Sequence, residues 1–390
     1  MKVAAFSVFF QLSDFKRLLL SSNRHIEFVI MPLYWHRGGA GALSGIQQIG
    51  KIMKIMKIMK MKKLLALGLL GLSIGTSAHA AKVEGTGSSF AYLAYTTWSK
   101  AYYGETGGQV NYTPTGSGSG IKEVTARHVD FGGSDKPLKT SALNKAGLIQ
   151  FPTAIGAVTF AYNVDGVSGL KLSEEAIAGI MLGKIKYWDD VLIAKDNVGL
   201  KLPHKEILFV HRSDKSGTTF AFTYYLSIMN KEWRETIGAK KVIAWPSQNR
   251  IAGKGNFGVA TAIKNNAFSI GYVDYADAKK NGLDVAIIEN REKVFVKAEP
   301  ETFEAAAVYA DLDPKKDFYA NIAYPPKGYP VVTATFALTP QEGENSKEVI
   351  KFFEYALTKK NKAIESVGYV ALPEAVIEKI QAYWAEKGLK

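Results

Sequence analysis

The decisive stretch of this sequence is Phe151-Pro152-Thr153-Ala154-Ile155-Gly156-Ala157-Val158-Thr159-Phe160-Ala161-Tyr162-Asn163, a long apolar run without a charged residue. A run of this length and composition predicts a strand that is buried on both faces of a sheet. Shorter strand and helix patterns alternate on both sides of it along the chain. This alternation indicates an α/β fold with mostly parallel sheets and with helices covering both faces.

The alternating elements can be placed from apolar periodicity and from glycine and charge at their ends. Strands are predicted over residues 82–84, 109–112, 129–131, 151–163, 207–210, 268–273 and 331–338. Helices are predicted over residues 90–103, 121–127, 173–182, 218–229, 258–264, 275–280, 347–359 and 374–386. No internal repeat or low-complexity linker separates them, so any crossing between domains must be short.

The positive charge of the chain is concentrated at its beginning. Of the formal net charge of +13, the first 80 residues carry +9 and the other 310 carry +4. Residues 61–80 have the three parts of a secretory signal peptide: basic Met61-Lys62-Lys63, an apolar run over 64–74, and small residues in Ala78-His79-Ala80. We therefore expect export and cleavage after Ala80. The apolar run is too short to span a bilayer, which takes roughly 20 residues.

Residues 1–60 form a doubtful N-terminal extension. They include Lys-Ile-Met repeated three times from Lys51 to Met59, which indicates a tandem repeat in the DNA and not a folded module. We expect translation to start at Met61 or a nearby methionine; the alternative is an unusually long leader. The remaining charge of +4 gives no reason to expect nucleic acid or an anionic membrane as a partner.

The chain contains no cysteine. This excludes disulfides, a thiol nucleophile, thiolate zinc sites and iron–sulfur clusters. It also excludes the lipid anchor of a bacterial lipoprotein, which needs a cysteine after the cleavage site, so we expect a soluble periplasmic product. His128, His204 and His211 lack the spacing of metal ligands. We expect neither a metal nor a cofactor.

Two short motifs stand in the wrong context for the chemistry they suggest. Ser119-Gly120-Ile121-Lys122 matches the Ser-x-x-Lys element of penicillin-recognising enzymes, but the companion motifs are missing. Gly253-Lys254-Gly255-Asn256-Phe257-Gly258 matches Gly-x-Gly-x-x-Gly, which binds dinucleotides only when a strand directly precedes it. Residues 245–250 are poor strand material, so we interpret the motif as a structural loop before a helix that begins at Gly258.

Three loops share a design suited to binding a small anion. Each contains small residues and hydroxyls and leads into a predicted helix, whose unpaired N–H groups and partial positive charge attract anions. The loops are Gly87-Ser88-Ser89-Phe90, Gly116-Ser117-Gly118-Ser119-Gly120 and Asp214-Lys215-Ser216-Gly217-Thr218. One such loop is ordinary capping, whereas three in one chain favour an anion site.

Charged residues beside these loops complete the pattern. Arg212 could bind an oxyanion with two N–H groups, and Asp214 could hold its guanidinium in place. Asp135 follows a strand end, where open α/β sheets bind ligands. A carboxylate can accept a hydrogen bond from a protonated phosphate but not from sulfate at neutral pH, so Asp135 would select against sulfate. The alternative interpretations are a helix cap for Asp135 and a surface ion pair for Arg212 and Asp214.

The motifs as a set resemble the periplasmic phosphate-binding proteins that supply ABC-type phosphate importers. The similarity runs from about residue 82 to residue 390. The stretches that carry it are Gly85-Thr86-Gly87-Ser88-Ser89-Phe90, Val129-Asp130-Phe131-Gly132-Gly133-Ser134-Asp135-Lys136-Pro137-Leu138, Arg212-Ser213-Asp214-Lys215-Ser216-Gly217-Thr218-Thr219-Phe220 and Gly271-Tyr272-Val273.

The resemblance implies a two-lobed, type II-like binding protein in which each lobe is a mixed, mostly parallel sheet flanked by helices. Residues 82–160 plus 333–390 would form one lobe and residues 161–332 the other, with two hinge crossings and phosphate in the cleft between them. Carried over by motif, the phosphate contacts would be Ser89, the Phe90 N–H, Ser117, Asp135, Arg212, Ser216, Gly217 and Thr218, with Asp214 supporting Arg212. The implied protein is a monomer without catalytic activity that delivers inorganic phosphate to an ABC-type permease in the inner membrane.

Three alternatives remain open from the residues alone. The nearest is a receptor for another oxyanion such as arsenate, sulfate or molybdate. The second is a secreted phosphate-ester hydrolase with Ser216 or Ser117 as nucleophile, although no motif offers a histidine partner. The third is a phosphate-sensing or adhesive surface protein without a transporter.

Overall fold

The structure, a computed structural model, describes residues 82–390. The extension, the signal peptide and the cleavage site predicted from the sequence lie outside the described residues. Within residues 82–390, none of the helices combines the length and the apolar character needed to cross a bilayer.

The strands of the described chain are, in order, β1 (Lys82–Gly87), β2 (Gln109–Pro114), β3 (Phe131–Ser134), β4 (Leu148–Asn163), β5 (Lys171–Leu172), β6 (Leu208–Arg212), β7 (Arg250–Gly253), β8 (Ser269–Asp274), β9 (Asp284–Val285), β10 (Ile287–Glu289), β11 (Phe295–Val296) and β12 (Val332–Pro340).

The α-helices of the described chain are α1 (Tyr92–Thr106), α2 (Ser117–Thr125), α3 (Thr140–Ala146), α4 (Glu174–Met181), α5 (Val191–Ala194), α6 (Gly217–Met229), α7 (Lys231–Thr236), α8 (Gly255–Asn265), α9 (Tyr275–Asn281), α10 (Pro300–Ala307), α11 (Ser346–Lys359) and α12 (Glu374–Glu386). Two 3₁₀ segments, Pro314–Lys316 and Asn361–Val367, lie among them.

Strand β4 joins two groups of strands. Its first part, residues 148–157, pairs antiparallel with β12, and its last part, residues 158–163, pairs antiparallel with β8. The strand order is β2-β1-β3-β12-β4-β8-β6-β7. On one side β1 runs parallel to β2 and β3, and on the other side β6 runs parallel to β7 and β8. The sheet is therefore mixed, with antiparallel pairs at its centre and parallel pairs toward both edges.

The core forms on both faces of β4, as the sequence predicts. All but the last of its sixteen residues are buried. Phe151 packs edge-on against Phe353 of α11 and Trp384 of α12, and Phe160 packs in the same way against Phe222 of α6. Such aromatic pairs add to the burial energy of the side chains. The central strand thereby ties helices from distant parts of the chain to one framework.

Two local predictions are wrong. A strand, β7, does precede the glycine motif that begins at Gly253, and the helix after it starts at Gly255 and not at Gly258. Strand β7 is short, lies at the sheet edge and is held by parallel pairing with β6, from Phe209 opposite Arg250 to Arg212 opposite Gly253. The residues of β7 themselves do not predict a strand, because the strand that stabilises them is distant in sequence.

Candidate anion-binding site

The site lies where several helices start beside the carboxyl ends of parallel strands. Helix α2 begins at Ser117 after β2, helix α6 begins at Gly217 after β6, and helix α8 begins at Gly255 after β7. The predicted loop over 116–120 is thus mostly the first turn of α2. Ends of this kind present unpaired N–H groups at the sheet edge where α/β proteins bind ligands.

Asp135 follows β3 directly and is fully buried. Its Oδ1 accepts hydrogen bonds from Ser88 Oγ at 2.6 Å and Thr335 Oγ1 at 2.9 Å, and its Oδ2 accepts one from Ser117 Oγ at 3.4 Å. Burial raises the pKa of Asp135 to about 6, although the hydroxyls and the charge of Arg212 favour the ionised form. At neutral pH, which is above this pKa, the carboxylate is mostly ionised and can accept hydrogen bonds.

Arg212, at the end of β6, is held in one orientation by its partners. Asp214 accepts from Nε at 2.8 Å and from Nη2 at 2.6 Å, which is the two-pronged geometry of a strong ion pair. Nη1 donates to Thr218 Oγ1 and to Asn256 Oδ1, both at 3.1 Å. The Arg212 side chain is 1% exposed. A buried guanidinium is thereby positioned at the N-terminus of α6.

The pKa of Asp214 is shifted in the opposite direction from that of Asp135. Burial alone would raise its pKa, but hydrogen bonds from Arg212 and the charge of Arg212 outweigh burial, so the pKa of Asp214 lies below its ordinary value. The Gly255 N–H also donates to Asp214 Oδ1 at 3.1 Å. Asp214 is therefore a lasting counter-charge that orients Arg212.

Two contacts join the β1–β3 side of the site to the β6–β7 side. The Asn256 N–H donates to Ser89 Oγ at 3.0 Å, and the Gly118 N–H donates to the Lys215 carbonyl at 2.8 Å. A Cβ atom added to Gly217 would lie 2.3 Å from Ser117 Oγ and 2.6 Å from Asp135 Oδ2. Position 217 therefore requires glycine for the two sides to approach this closely.

The structure brings most of the predicted site residues together. Ser117, Asp135 and Gly217 form one group, and Arg212, Asp214 and Thr218 form the adjoining one. The remaining predicted groups, Ser89, Phe90 and Ser216, have partners within the chain. Ser89 Oγ accepts from Asn256, Ser216 Oγ caps α6 by accepting from the Thr219 N–H at 3.0 Å, and the Phe90 N–H donates to Ser88 Oγ at 3.0 Å.

Sequence reasoning missed three residues that hold the site. Ser88 lies inside a predicted loop, but the motif resemblance implies a contact only for its neighbour Ser89. Asn256 is the fourth residue of the glycine motif that the sequence analysis interprets as a structural loop, and the position of that motif directly after a strand is the signal that marks it. Thr335 reaches Asp135 from 200 residues away, and no local pattern signals it.

The chemistry that this arrangement supports is anion binding. It gathers a buried guanidinium, several hydroxyls and helix N-termini around one carboxylate. Within the described part of the chain, no cluster of three or more His, Cys, Asp or Glu side chains could hold a metal ion. His211 Nδ1 contacts the Arg212 carbonyl at 3.0 Å, and no histidine in residues 82–390 is hydrogen-bonded to Ser117 or Ser216. A serine–histidine nucleophile is therefore absent from the described site.

Comparison with known proteins places the chain among binding proteins. The PBP superfamily domain matches residues 74–360. The phosphate-binding protein PstS of Pasteurella multocida is 42% identical over 315 residues, which cover 79% of this chain and 91% of the relative. PstS of Haemophilus influenzae is 38% identical over 322 residues, which cover 80% and 96%.

A solved structure confirms the predicted α/β binding-protein fold. The periplasmic phosphate-binding protein PfluDING, solved with bound phosphate, is similar with a TM-score of 0.64 at 20% identity, over 77% of this chain and 93% of that one. At this identity the likeness supports the fold alone. With the identity to the two curated relatives, it completes the assignment: the chain belongs to the PstS family of phosphate-binding proteins within the PBP superfamily.

Proposed function

We propose that this protein binds inorganic phosphate in the periplasm and delivers it to an ABC-type permease, without catalysing a reaction. The observation that carries the proposal is that one site holds both the buried Arg212, oriented by Asp214, and the buried Asp135, close enough for the charge of Arg212 to lower the pKa of Asp135. Phosphate near neutral pH carries negative charge and at least one proton. It can therefore accept from the guanidinium and donate to the carboxylate at once.

The proposed ligand contacts are those implied by the motifs: Ser89, the Phe90 N–H, Ser117, Asp135, Arg212, Ser216, Gly217 and Thr218. In this structure the three serines, the Phe90 N–H, Asp135, Arg212 and Thr218 all have hydrogen-bond partners within the chain. Phosphate would take over some of these bonds when it binds. Hydroxyls can rotate to serve either partner, so the exchange needs little rearrangement.

We further propose that residues 82–160 plus 333–390 and residues 161–332 act as two lobes that close on the ligand by a hinge. The observation that supports this division is the change of partner along β4, which pairs with β12 up to Ala157 and with β8 from Val158. The bonds from Asn256 to Ser89 and from Gly118 to Lys215 are contacts between the two parts at the site. The protein would act as a monomer, released into the periplasm after removal of residues 61–80.

The test is the affinity for phosphate of purified protein and of Arg212→Ala, measured by titration calorimetry. Loss of the buried guanidinium should weaken binding by at least about 2.7 kcal/mol, roughly 100-fold. Arg212→Lys keeps the charge but not the fork and should lose less. Arg234→Ala, which removes an exposed arginine on α7, is the control.

Arg212→Ala could also disturb the fold, because it leaves Asp214 unpaired. Circular dichroism and thermal unfolding of each variant separate a misfolded protein from a folded one that has lost the ligand contact. A folded Arg212→Ala variant with the phosphate affinity of the wild type would contradict the proposed site.

A further inference from the structure

A cavity of about 400 Å³ opens beside the candidate site. Ser89 and Tyr92 line it from the β1 side, and Lys254, Asp277 and Lys280 line it from helices α8 and α9 and the turn before α8. The cavity therefore lies between the two parts of the chain that meet at the site.

Two hydrogen bonds, both made by Asn256, connect a residue of the cavity lining to the buried guanidinium. Ser89 lines the cavity and also accepts from the Asn256 N–H at 3.0 Å. Asn256 Oδ1 in turn accepts from Arg212 Nη1 at 3.1 Å. Opening the Ser89–Asn256 contact would bring an anion in the cavity to Asn256, the residue that binds Arg212 directly.

The opposite rim of the site is closed by tighter contacts. There the Gly118 N–H binds the Lys215 carbonyl at 2.8 Å, and the backbone of Gly217 lies directly against Ser117 and Asp135. At Gly217 the approach is so close that even an added Cβ atom would lie 2.3 Å from Ser117 Oγ. Access from the Ser89 side, by contrast, starts from an existing cavity.

The cavity carries more positive than negative charge. Lys254 and Lys280 are exposed, and across residues 82–390 neither forms an ion pair within 4.0 Å. Asp277 is the carboxylate in its lining, and burial raises the pKa of Asp277, so it ionises less readily than an exposed aspartate. Clefts lined by one sign of charge concentrate ions of the opposite sign and raise their association rate.

We infer that phosphate reaches Arg212 through this cavity, and that Lys254 and Lys280 accelerate its capture. The inference rests on the proposed phosphate function and adds to it a route and two residues that set the association rate. Neither lysine belongs to the proposed ligand contacts, so the effect should appear in the rate of binding and not in the rate of release.

The test measures phosphate association by stopped-flow fluorescence in the double variant Lys254→Gln/Lys280→Gln. Because the chain has no cysteine, a cysteine introduced at exposed Val242 can carry the dye uniquely. At low ionic strength the association rate constant should fall about tenfold. In 1 M salt, where the screening length is about 3 Å, it should approach that of the unsubstituted protein. The dissociation rate constant should stay within about twofold.

The matched control is Lys145→Gln/Lys379→Gln, which removes the same charge from exposed positions on α3 and α12, away from the cavity lining. It should leave the association rate nearly unchanged. An equal slowing in both double variants would overturn the inference, because the effect would then come from net charge. A change confined to dissociation would also overturn it. If unsubstituted protein gives neither heat nor fluorescence change with phosphate, the proposed function itself has failed.

Discussion

Two aspartates at the site, the fully buried Asp135 and the partly buried Asp214, behave differently because their partners differ. Asp135 has hydroxyl donors, and burial dominates, so its pKa is raised to about 6. Asp214 has the fork of Arg212, and its pKa is lowered. Asp214 thus serves as a fixed counter-charge, whereas Asp135 remains able to accept a proton-bearing ligand. Asp214 therefore orients Arg212, and Asp135 selects for an anion that carries a proton.

Asp135→Asn should weaken the preference for phosphate over sulfate. An amide can donate to a fully ionised anion, which the carboxylate of Asp135 cannot do, so sulfate would no longer meet an unpaired negative charge. Competition calorimetry with the two anions measures the preference. Asp165→Asn, which alters an exposed carboxylate, serves as the control. An unchanged preference in Asp135→Asn would remove this residue from the selection of the anion.

The raised pKa of Asp135 also predicts how stability varies with pH. The folded state holds the proton of Asp135 up to about pH 6, whereas the unfolded chain releases it near 3.8. Between these values the folded protein binds more protons, so the contribution of this group to the free energy of unfolding falls as pH rises, by roughly 2–3 kcal/mol.

Urea unfolding of phosphate-free wild type and Asp135→Asn from pH 4 to pH 7 measures this contribution. Subtraction of the two curves removes the effect of the other buried acids, Asp274 and Asp277, whose pKa values are raised by burial as well. A difference curve that stays flat across that pH range would show that Asp135 is already ionised in the folded protein at low pH.

At the scale of single residues, the sequence identifies the charged residues of the site better than it identifies the distant residues that contact them. Arg212, Asp214 and Asp135 stand out because each charged side chain accompanies a glycine-rich or hydroxyl-rich loop. Thr335 does not stand out, since a threonine inside an apolar strand has no local feature that points to Asp135. Its contact depends on the pairing of β12 with β3, which is a property of the whole sheet.

At the scale of elements, the start of α6 is the most constrained part of the site. Ser216 caps the helix, and Gly217 brings its first turn against Ser117 and Asp135. A side chain at position 217 would push the two sides of the site apart without harming the helix itself. The helix start thereby controls how closely the two parts of the chain can meet.

Gly217→Ala should therefore weaken phosphate binding by about 1–3 kcal/mol, the usual cost of overpacking a tight contact. Gly104→Ala is a matched control within helix α1, because a Cβ there would meet no atom within 4 Å. It should keep its affinity and gain about 0.5–1 kcal/mol of stability from the loss of backbone freedom in the unfolded chain. Calorimetry and thermal unfolding measure the two effects. Equal phosphate affinity in both variants would show that the approach at Gly217 does not matter for binding.

Elements with long, regular patterns are the ones that the sequence predicts well. The apolar run over 151–163 is recovered within β4, and the helix predicted over 374–386 has the bounds of α12. Short elements are missed, including α3, α7 and α10, because a few residues carry too little periodicity. Strand β7 is also short, and it is stabilised by its pairing with β6, which the local sequence does not show.

At the scale of the whole molecule, the net positive charge is unevenly distributed along the chain. The first 80 residues, which comprise the doubtful extension and the predicted signal peptide, carry +9, and the other 310 carry +4. Positive charge at the site is instead local, in Arg212 and in the two lysines of the adjoining cavity. The net charge of the chain therefore does not indicate the ligand, whereas the positions of the charged side chains at the site do.

The exported protein should begin at Ala81. The small residues at 78 and 80 meet the requirement of the signal peptidase, so cleavage is expected between Ala80 and Ala81. N-terminal sequencing and intact mass of protein recovered from the periplasm measure the position. A recovered chain that retains residue 40 would contradict both the cleavage and the expectation that translation starts near Met61.

The measurement that tests the central claim most directly is titration of the purified protein with phosphate, arsenate and sulfate at pH 7. If Arg212 and Asp135 select a protonated oxyanion, phosphate should bind tightly at one site per chain, arsenate should compete with it, and sulfate should bind at least about 100-fold more weakly, a difference near 2.7 kcal/mol. Sulfate binding equal to phosphate, or no heat with phosphate, would contradict the account.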